Sequence, residues 1–249
     1  MRGKFVIMTV SKSVARLAVD VGGTFTDVAL EYGGTQVTTK VLTTPASPEL
    51  GVLSGITKAL GECELTASDV DILIHGTTLA TNALIERKGA KVALITTEGL
   101  RDSVEMAQEN RFDQYDINID RPTPLVPRYL RWGVRERLNV HGQALIPLAE
   151  DSVTTLIPDI DKFEIAAVAI GLIHSYANSM HEERVADILS KARPELSITL
   201  SSEVCPEIRE YERQSTASAN AYVQPMMSRY LRELDSRLTK LGFNCPFLL

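Results

Sequence analysis

Two hydrophobic spacings alternate along this chain. Arg16 to Val21 reads as a buried strand, Thr26 to Glu31 as its hairpin partner, and Gln36 to Leu42 as a third strand of alternating exposure after the turn Tyr32-Gly33-Gly34-Thr35. Three antiparallel strands, with Gly22-Gly23 at the first bend, therefore open the fold. The period then becomes helical. Ser47 is placed as an N-cap, Pro48 at the first helical position and Glu49 at the positive end of the dipole, with Leu50, Leu53, Ile56 and Leu60 on one face. Ile72 to His75 is a short apolar strand that breaks at Gly76. LATNALIERKG follows as a helix closed by Gly89, then KVALITT as a buried strand and GLRDSVEMAQE as a helix. Strand and helix alternate at the spacing of parallel pairing through crossover helices.

Between Asn110 and Leu148 proline and charge dominate. Arg121 to Pro127 is an extended connection, because proline removes donors and disfavours helix before it. Tyr129 to Leu138 pairs with Ala144 to Leu148 across His141-Gly142 as a hairpin. Ile165 to Ile173 is a strongly apolar strand, MHEERVADILSKARP a helix and LSITLSSEV a strand. Gln214 to Leu241 is a long helix with Ala217, Ala221, Met227, Leu231, Leu234, Leu238 and Leu241 near one stripe, capped by Gly242. Asn244 to Leu249 reads as the start of a further strand.

Composition narrows the function. With 249 residues, 44% hydrophobic and 23% charged, the chain can bury a substantial core. A net charge of -6 argues against nucleic acid or an anionic membrane as a partner. No apolar run approaches the ~20 residues of a membrane span, and the apolar stretch after Lys4 is too short for a signal peptide. Cys63, Cys205 and Cys245 form no C-x-x-C pair, and the four histidines show no metal spacing. A cytoplasmic protein is expected. No Ser-His-Asp or Cys-His arrangement is legible, so hydrolysis by a protein nucleophile finds no support.

The densest candidate chemistry is D-V-G-G-T-F-T-D, Asp20 to Asp27. A bound phosphate needs convergent N–H groups, hydroxyls and close backbone approach. Gly22 and Gly23 leave that room, and Thr24 and Thr26 offer hydroxyls. Asp20 would repel a phosphate unless a cation lies between them, so it suits an indirect magnesium ligand or a water-orienting group. Asp27 is placed to hold the turn's own N–H groups. On pattern alone, a plain hairpin with turn and capping residues also accounts for the string. It is neither a Walker loop nor a Rossmann fingerprint. His75-Gly76-Thr77-Thr78, between a strand end and a helix start, is a second candidate anion site, with Asn82 one turn further; a threonine cap and an ordinary helical asparagine are the plain alternatives. Arg101, the Arg209-Glu210-Glu212-Arg213 cluster and the Arg111 to Asp116 loop fit solvated charge, a salt-bridged helix start and an exposed connector respectively.

The string Asp20 to Asp27 at a domain start resembles the first phosphate motif of the actin-like ATPase and sugar-kinase superfamily. More narrowly it is similar to the hydantoinase/oxoprolinase family, and His75 to Asp102, Arg121 to Arg131, Gly171 to Leu189 and Ser201 to Pro225 carry the same resemblance. Glu150 to Glu164 departs from it, being short and broken by Pro158. The resemblance implies an α/β fold: a ribonuclease-H-like mixed sheet with N-terminal antiparallel strands and crossover helices, plus a second α/β portion, in an incomplete version of the family fold. It divides the chain into a disordered extension (1–14), an N-terminal domain (15–200) and the start of a catalytic domain (201–249). It implies ATP and magnesium as cofactors, Asp20 as catalytic and metal-bearing residue, and Gly22, Gly23, Thr24, Phe25, Thr26, Asp27, Gly76, Thr77, Thr78 and Asn82 around the nucleotide. The implied activity is ATP-dependent opening of a cyclic amide such as 5-oxoproline or a hydantoin. An acetone-carboxylase-type subunit and a catalytically inactive fragment are the alternatives. Family members carry a second phosphate motif in a much longer polypeptide, so this chain alone is expected to be weak or inactive. A homodimer or a second hydantoinase-type subunit is the implied partner.

Overall fold

The computed structural model describes residues 13–108, 115–119 and 122–249. The expected extension lies outside the described residues as far as residue 12, as do Arg111 to Gln114 of the connector and Arg121. The strands are β1 (Arg16–Val21), β2 (Phe25–Tyr32), β3 (Thr35–Leu42), β4 (Ile72–Thr77), β5 (Val92–Thr97), β6 (Arg131–Val134), β7 (Arg137–Leu138), β8 (Ala144–Ile146), β9 (Ala167–Gly171), β10 (Ser197–Leu200) and β11 (Phe247–Leu248). The helices are α1 (Pro48–Glu62), α2 (Leu79–Ile85), α3 (Ser103–Met106), α4 (Glu150–Thr154), α5 (Ile157–Lys162), α6 (Met180–Ala192), α7 (Ser201–Val204) and α8 (Glu210–Leu241). Backbone contacts divide the chain into two units, residues 1–82 with 229–249, and residues 83–228.

The first unit is built on a five-stranded sheet in the order β11-β4-β1-β2-β3. Its first three strands are antiparallel neighbours, while β4 runs parallel to β1 and β11 parallel to β4. This is the ribonuclease-H-like mixed sheet the sequence implies, and Asn244 to Leu249 does supply a strand. Strict alternation gives the sheet two unlike faces. Leu17, Val19 and Val21 of β1 are buried, and Arg16, Ala18 and Asp20 are exposed. Helix α1 lies on the buried face, so close to β2 that a Cβ on Gly55 would stand 2.7 Å from Val28 Cγ2. That closeness corrects the expected helix face. Val52, Ile56, Ala59 and Leu60 are buried, whereas Leu50 is exposed, because the contact runs along the small residues Gly51 and Gly55. Ser47 stands at the N-cap but makes no side-chain capping bond.

The second unit is built on an all-parallel sheet in the order β10-β9-β5-β6. Every residue of β5 and β9 is buried, as continuous apolar runs in parallel sheets require. Four expectations are corrected. Strands β4 and β5 do not pair: β4 lies between β11 and β1 in the five-stranded sheet, and β5 between β9 and β6 in the parallel one. Gly89 is no helix cap: α2 ends at Ile85, and an added Cβ at Gly89 would overlap the Tyr222 ring at 2.2 Å. The Tyr129 to Leu138 stretch splits, because β6 pairs with β5 while only β7 pairs with β8. Helix α3 has four residues, ending where Ala107 takes a positive φ of 51°. Pro158 falls in the first turn of α5, so the Glu150 to Glu164 stretch forms two short helices, α4 and α5. Among the described residues no helix is long and apolar enough to cross a membrane.

Candidate functional site

In the first unit, the turn between β1 and β2 and the loop from β4 into α2 lie side by side, because β1 and β4 are parallel neighbours whose C-terminal ends coincide. Asp20 pairs in register with Gly76 on one side and Asp27 on the other, and Asp27 with Lys40. Gly76, Asp20, Asp27 and Lys40 thus form one row across four strands on the exposed face. Lys40 Nζ lies 3.1 Å from Asp27 Oδ1 and 5.2 Å from the centre of the Phe25 ring. Asp20 leans over β4: its Oδ1 is 3.2 Å from where a Cβ on Gly76 would stand. Together with Ala18, Ala29, Thr38 and Ile74, these groups line a groove of about 520 Å³.

The turn itself is held from behind. Gly22 N–H donates to Phe25 O at 2.9 Å, and Thr43 N–H to Thr24 O at 2.9 Å. The Thr43 hydroxyl donates its one hydrogen to Gly22 O at 3.0 Å, so Thr26 is the donor in the 3.0 Å bond between the two threonine hydroxyls. Among the described residues, the N–H groups of Gly23 and Thr24 bond no other backbone group. They stand exposed at the tip, where an anion can accept from them. The adjoining loop is tied to the same strand: Thr78 N–H donates to Val21 O at 3.1 Å, and the Thr77 hydroxyl accepts from Leu79 N–H at 3.2 Å. Asn82 Nδ2 reaches Thr78 Oγ1 at 3.3 Å, and lies 3.2 Å from the position of a Cβ on Gly23. The missing side chain of Gly23 therefore keeps open the space between turn and loop.

Asp20, Gly22, Gly23, Thr24, Gly76, Thr77, Thr78 and Asn82 are brought together. Thr26 is not. It is fully buried on the other face, with its hydroxyl spent on Thr43. Phe25 and Asp27 share the exposed face but engage Lys40 rather than the turn's N–H groups. Sequence reading missed Thr43, which holds three of the turn's backbone and hydroxyl groups, although its place directly after the strand that pairs with Phe25 marks it. Beneath the row, His75 is buried with Nε2 3.0 Å from the Tyr230 hydroxyl.

In the second unit the expected salt-bridged cluster has a different core. Arg213 is fully buried and donates to the carbonyls of Leu172 at 2.6 Å, Glu207 at 3.0 Å and Arg209 at 3.2 Å. His181 Nδ1 meets Glu136 Oε2 at 2.8 Å, and the Thr97 hydroxyl donates to the other oxygen of Glu136. Glutamate stands between threonine and histidine, so the histidine cannot activate the hydroxyl, and the group acts as a structural tie rather than a nucleophile.

A Gly-Gly turn with two N–H groups free of backbone partners, beside an exposed strand-end carboxylate, thus lies at one end of a ribonuclease-H-like mixed sheet. The profile of the hydantoinase/oxoprolinase N-terminal region matches residues 16–193. The chain belongs to the hydantoinase/oxoprolinase family. It is 37% identical over 244 residues to the caprolactamase subunit alpha of Pseudomonas jessenii, covering 95% of this chain and 35% of the relative. The crystal structure of ATP-dependent caprolactamase from that species superposes with a TM-score of 0.84 over 93% of this chain and 35% of that one, at 36% identity. A nucleotide-free acetone carboxylase structure gives a TM-score of 0.82 at 27% identity, with the same two coverages. The 5-oxoprolinase of Saccharomyces cerevisiae is 30% identical over 267 residues, covering 92% of this chain and 21% of the relative. The chain thus spans about a third or less of the length of these relatives.

Proposed function

We propose that the chain forms the first phosphate-binding half of an ATP-dependent enzyme that opens a cyclic amide, of the 5-oxoproline, hydantoin or lactam type. The observation that carries this reading is the pair of N–H groups at Gly23 and Thr24 without a backbone partner, on a turn that follows the strand bearing the exposed Asp20 and whose bare Gly23 leaves the space beside Asn82 open. The residues present fit the group. Gly23 and Thr24 donate to phosphate oxygens, Thr77 and Thr78 shape the adjoining wall, and Asp20 takes a hydrated magnesium ion. Among the described residues no three metal-ligating side chains cluster. A magnesium ion that keeps most of its waters and shares phosphate oxygens needs only one carboxylate. ATP, when bound, supplies phosphorylation of the amide oxygen, which makes the ring carbonyl a better electrophile for water.

The part this chain plays is positioning and electrostatics. The turn would hold a phosphate tail against the main chain, Asp20 would hold the cation or its water, and Thr43 keeps the turn from relaxing. A single wall leaves the site open to water, so we infer that turnover needs the remaining two-thirds of a family enzyme or a second subunit, as the subunit names of the relatives support. The likeness to acetone carboxylase supports a second reading, in which the same turn serves ATP-driven carboxylation of a ketone. Asp20→Ala in the complete enzyme decides the role of the site: ATP turnover drops by about 100-fold or more while the unfolding transition stays in place. Undiminished turnover removes Asp20 from the mechanism. Assay with 5-oxoproline, hydantoin, caprolactam and acetone then separates the two readings.

A further inference from the structure

We propose that His75 and Tyr230 are a buried positioning pair that sets the Gly76–Thr78 loop, a role that rests on the phosphate reading of that loop. His75 lies directly before Gly76, two residues from the end of β4 and on its buried side, 3% exposed. Its register partner on β1 is Val19, the residue before Asp20. The imidazole therefore lies under both strand ends at the point where they deliver their functional groups. It is fixed from two further elements of the same unit. Tyr230 of α8 places its hydroxyl 3.0 Å from Nε2 with the ring centres 5.7 Å apart, and Phe247 of β11 packs at 5.8 Å. Nδ1 is buried and short of a well-formed hydrogen bond, with the Val19 carbonyl the backbone acceptor that acts on the ring.

The protonation chemistry gives the pair a direction. Burial pushes the His75 imidazole below its ordinary value, with the Asp20 charge opposing, so the ring is neutral at pH 7. Burial, and then the Glu49 carboxylate, push the Tyr230 hydroxyl far above its ordinary value, so it keeps its proton. We assign the pair the tautomer in which the phenol donates to Nε2 and the ring proton sits on Nδ1, toward Val19. The hydroxyl–imidazole bond ties α8 to β4 at the residue before Gly76, and an apolar ring in place of His75 would pack without that tie.

Tyr230→Phe removes one oxygen and keeps the ring, so the variant tests the pair without emptying the core. In the parent chain, ¹⁵N spectra show His75 as the Nδ1–H tautomer. In Tyr230→Phe, amide exchange at Thr78 speeds up and magnesium-ATP binding by calorimetry weakens, each by roughly three- to tenfold, while the unfolding midpoint moves by only a few degrees. Thr78 exchange unchanged in the variant, or an Nε2–H tautomer in the parent, overturns the pair. Faster exchange at Thr78 with no magnesium-ATP binding by either form upholds the hold on the loop and overturns the phosphate reading instead.

Discussion

The two sheets of this chain finish their parallel strands in opposite ways. In the first unit the strand ends carry an exposed carboxylate, two unengaged N–H groups and a loop of small residues. In the second unit the strand ends are sealed. Glu182 is fully buried and accepts from Leu172 N–H at 2.9 Å, Ser201 Oγ at 2.7 Å, and both Ser202 N–H and Oγ at 2.9 and 2.7 Å. Gln214 Nε2 donates to Gly171 O at 2.9 Å, and Arg213 takes up three carbonyls. In open α/β sheets ligands gather at the carboxyl ends of strands. The same topological position carries exposed, unengaged polar groups in one sheet and is filled by the protein's own side chains in the other. Hydrogen-bond satisfaction, more than polarity or place, separates a site from a scaffold.

That contrast breaks most visibly at Glu182. Glu182→Ala strips partners from four buried or half-buried donors at once, and each unsatisfied group costs about 1–3 kcal/mol. A loss of at least ~3 kcal/mol of stability is expected in urea unfolding, while Asp20→Ala, at an exposed position, stays within about 0.5 kcal/mol. Equal costs at the two positions would mean that the strand ends do not differ as described. Next in size is Gly23→Val. Its Cβ meets only the movable end of Asn82, so folding is nearly unaffected, but its branched side chain fills the gap between turn and loop. Magnesium-ATP affinity falls by about 100-fold, or ~2.7 kcal/mol, by calorimetry. Parent-like affinity means the phosphate lies elsewhere.

Much of the open end was legible in the sequence. Paired glycines and threonines at a strand end are local signals, and alternation places Asp20 and Asp27 on one face. Thr26 was misplaced because the string suggests that every hydroxyl serves the ligand, whereas the period of two turns Thr26 inward to Thr43, seventeen residues away. The sealed end was illegible. Glu136 and His181 are 45 residues apart, Thr97 and Glu136 are 39 apart, and no local pattern predicts that such groups meet. The Arg209-Glu210-Glu212-Arg213 cluster read as a salt-bridged helix start, and Arg209 and Arg213 do meet Glu212 and Glu210 at 3.9 and 3.8 Å; the burial of Arg213 was illegible because one of its carbonyl partners, that of Leu172, is brought to it only by the fold. In α8, Ala217, Ala221, Leu234 and Leu238 are buried as the stripe expects, but Tyr230 takes the buried place of Leu231, which is only half-buried. The missed tyrosine is the one that meets His75.

The smallest effect tests whether the floor beneath the open end is as dry as the sealed one. His75 has a lowered proton affinity in the folded chain, chiefly because it is buried. Between its folded value and the ordinary value of 6.5, the unfolded chain binds more protons than the native one. Stability from the neutral buried ring is therefore fully present above the ordinary value. It is lost progressively as pH falls below that value, and the loss ends once pH passes below the folded one. Replacing His75 with Asn removes the titration but keeps a polar group. The parent's unfolding free energy, from urea titration, should then fall more steeply than the variant's below pH 6.5, by about 1.4 kcal/mol for each unit of depression, with the two curves parallel at pH 7 and above. Parallel curves throughout would place the ring in contact with water, and the two strand ends would then differ in their upper surface alone.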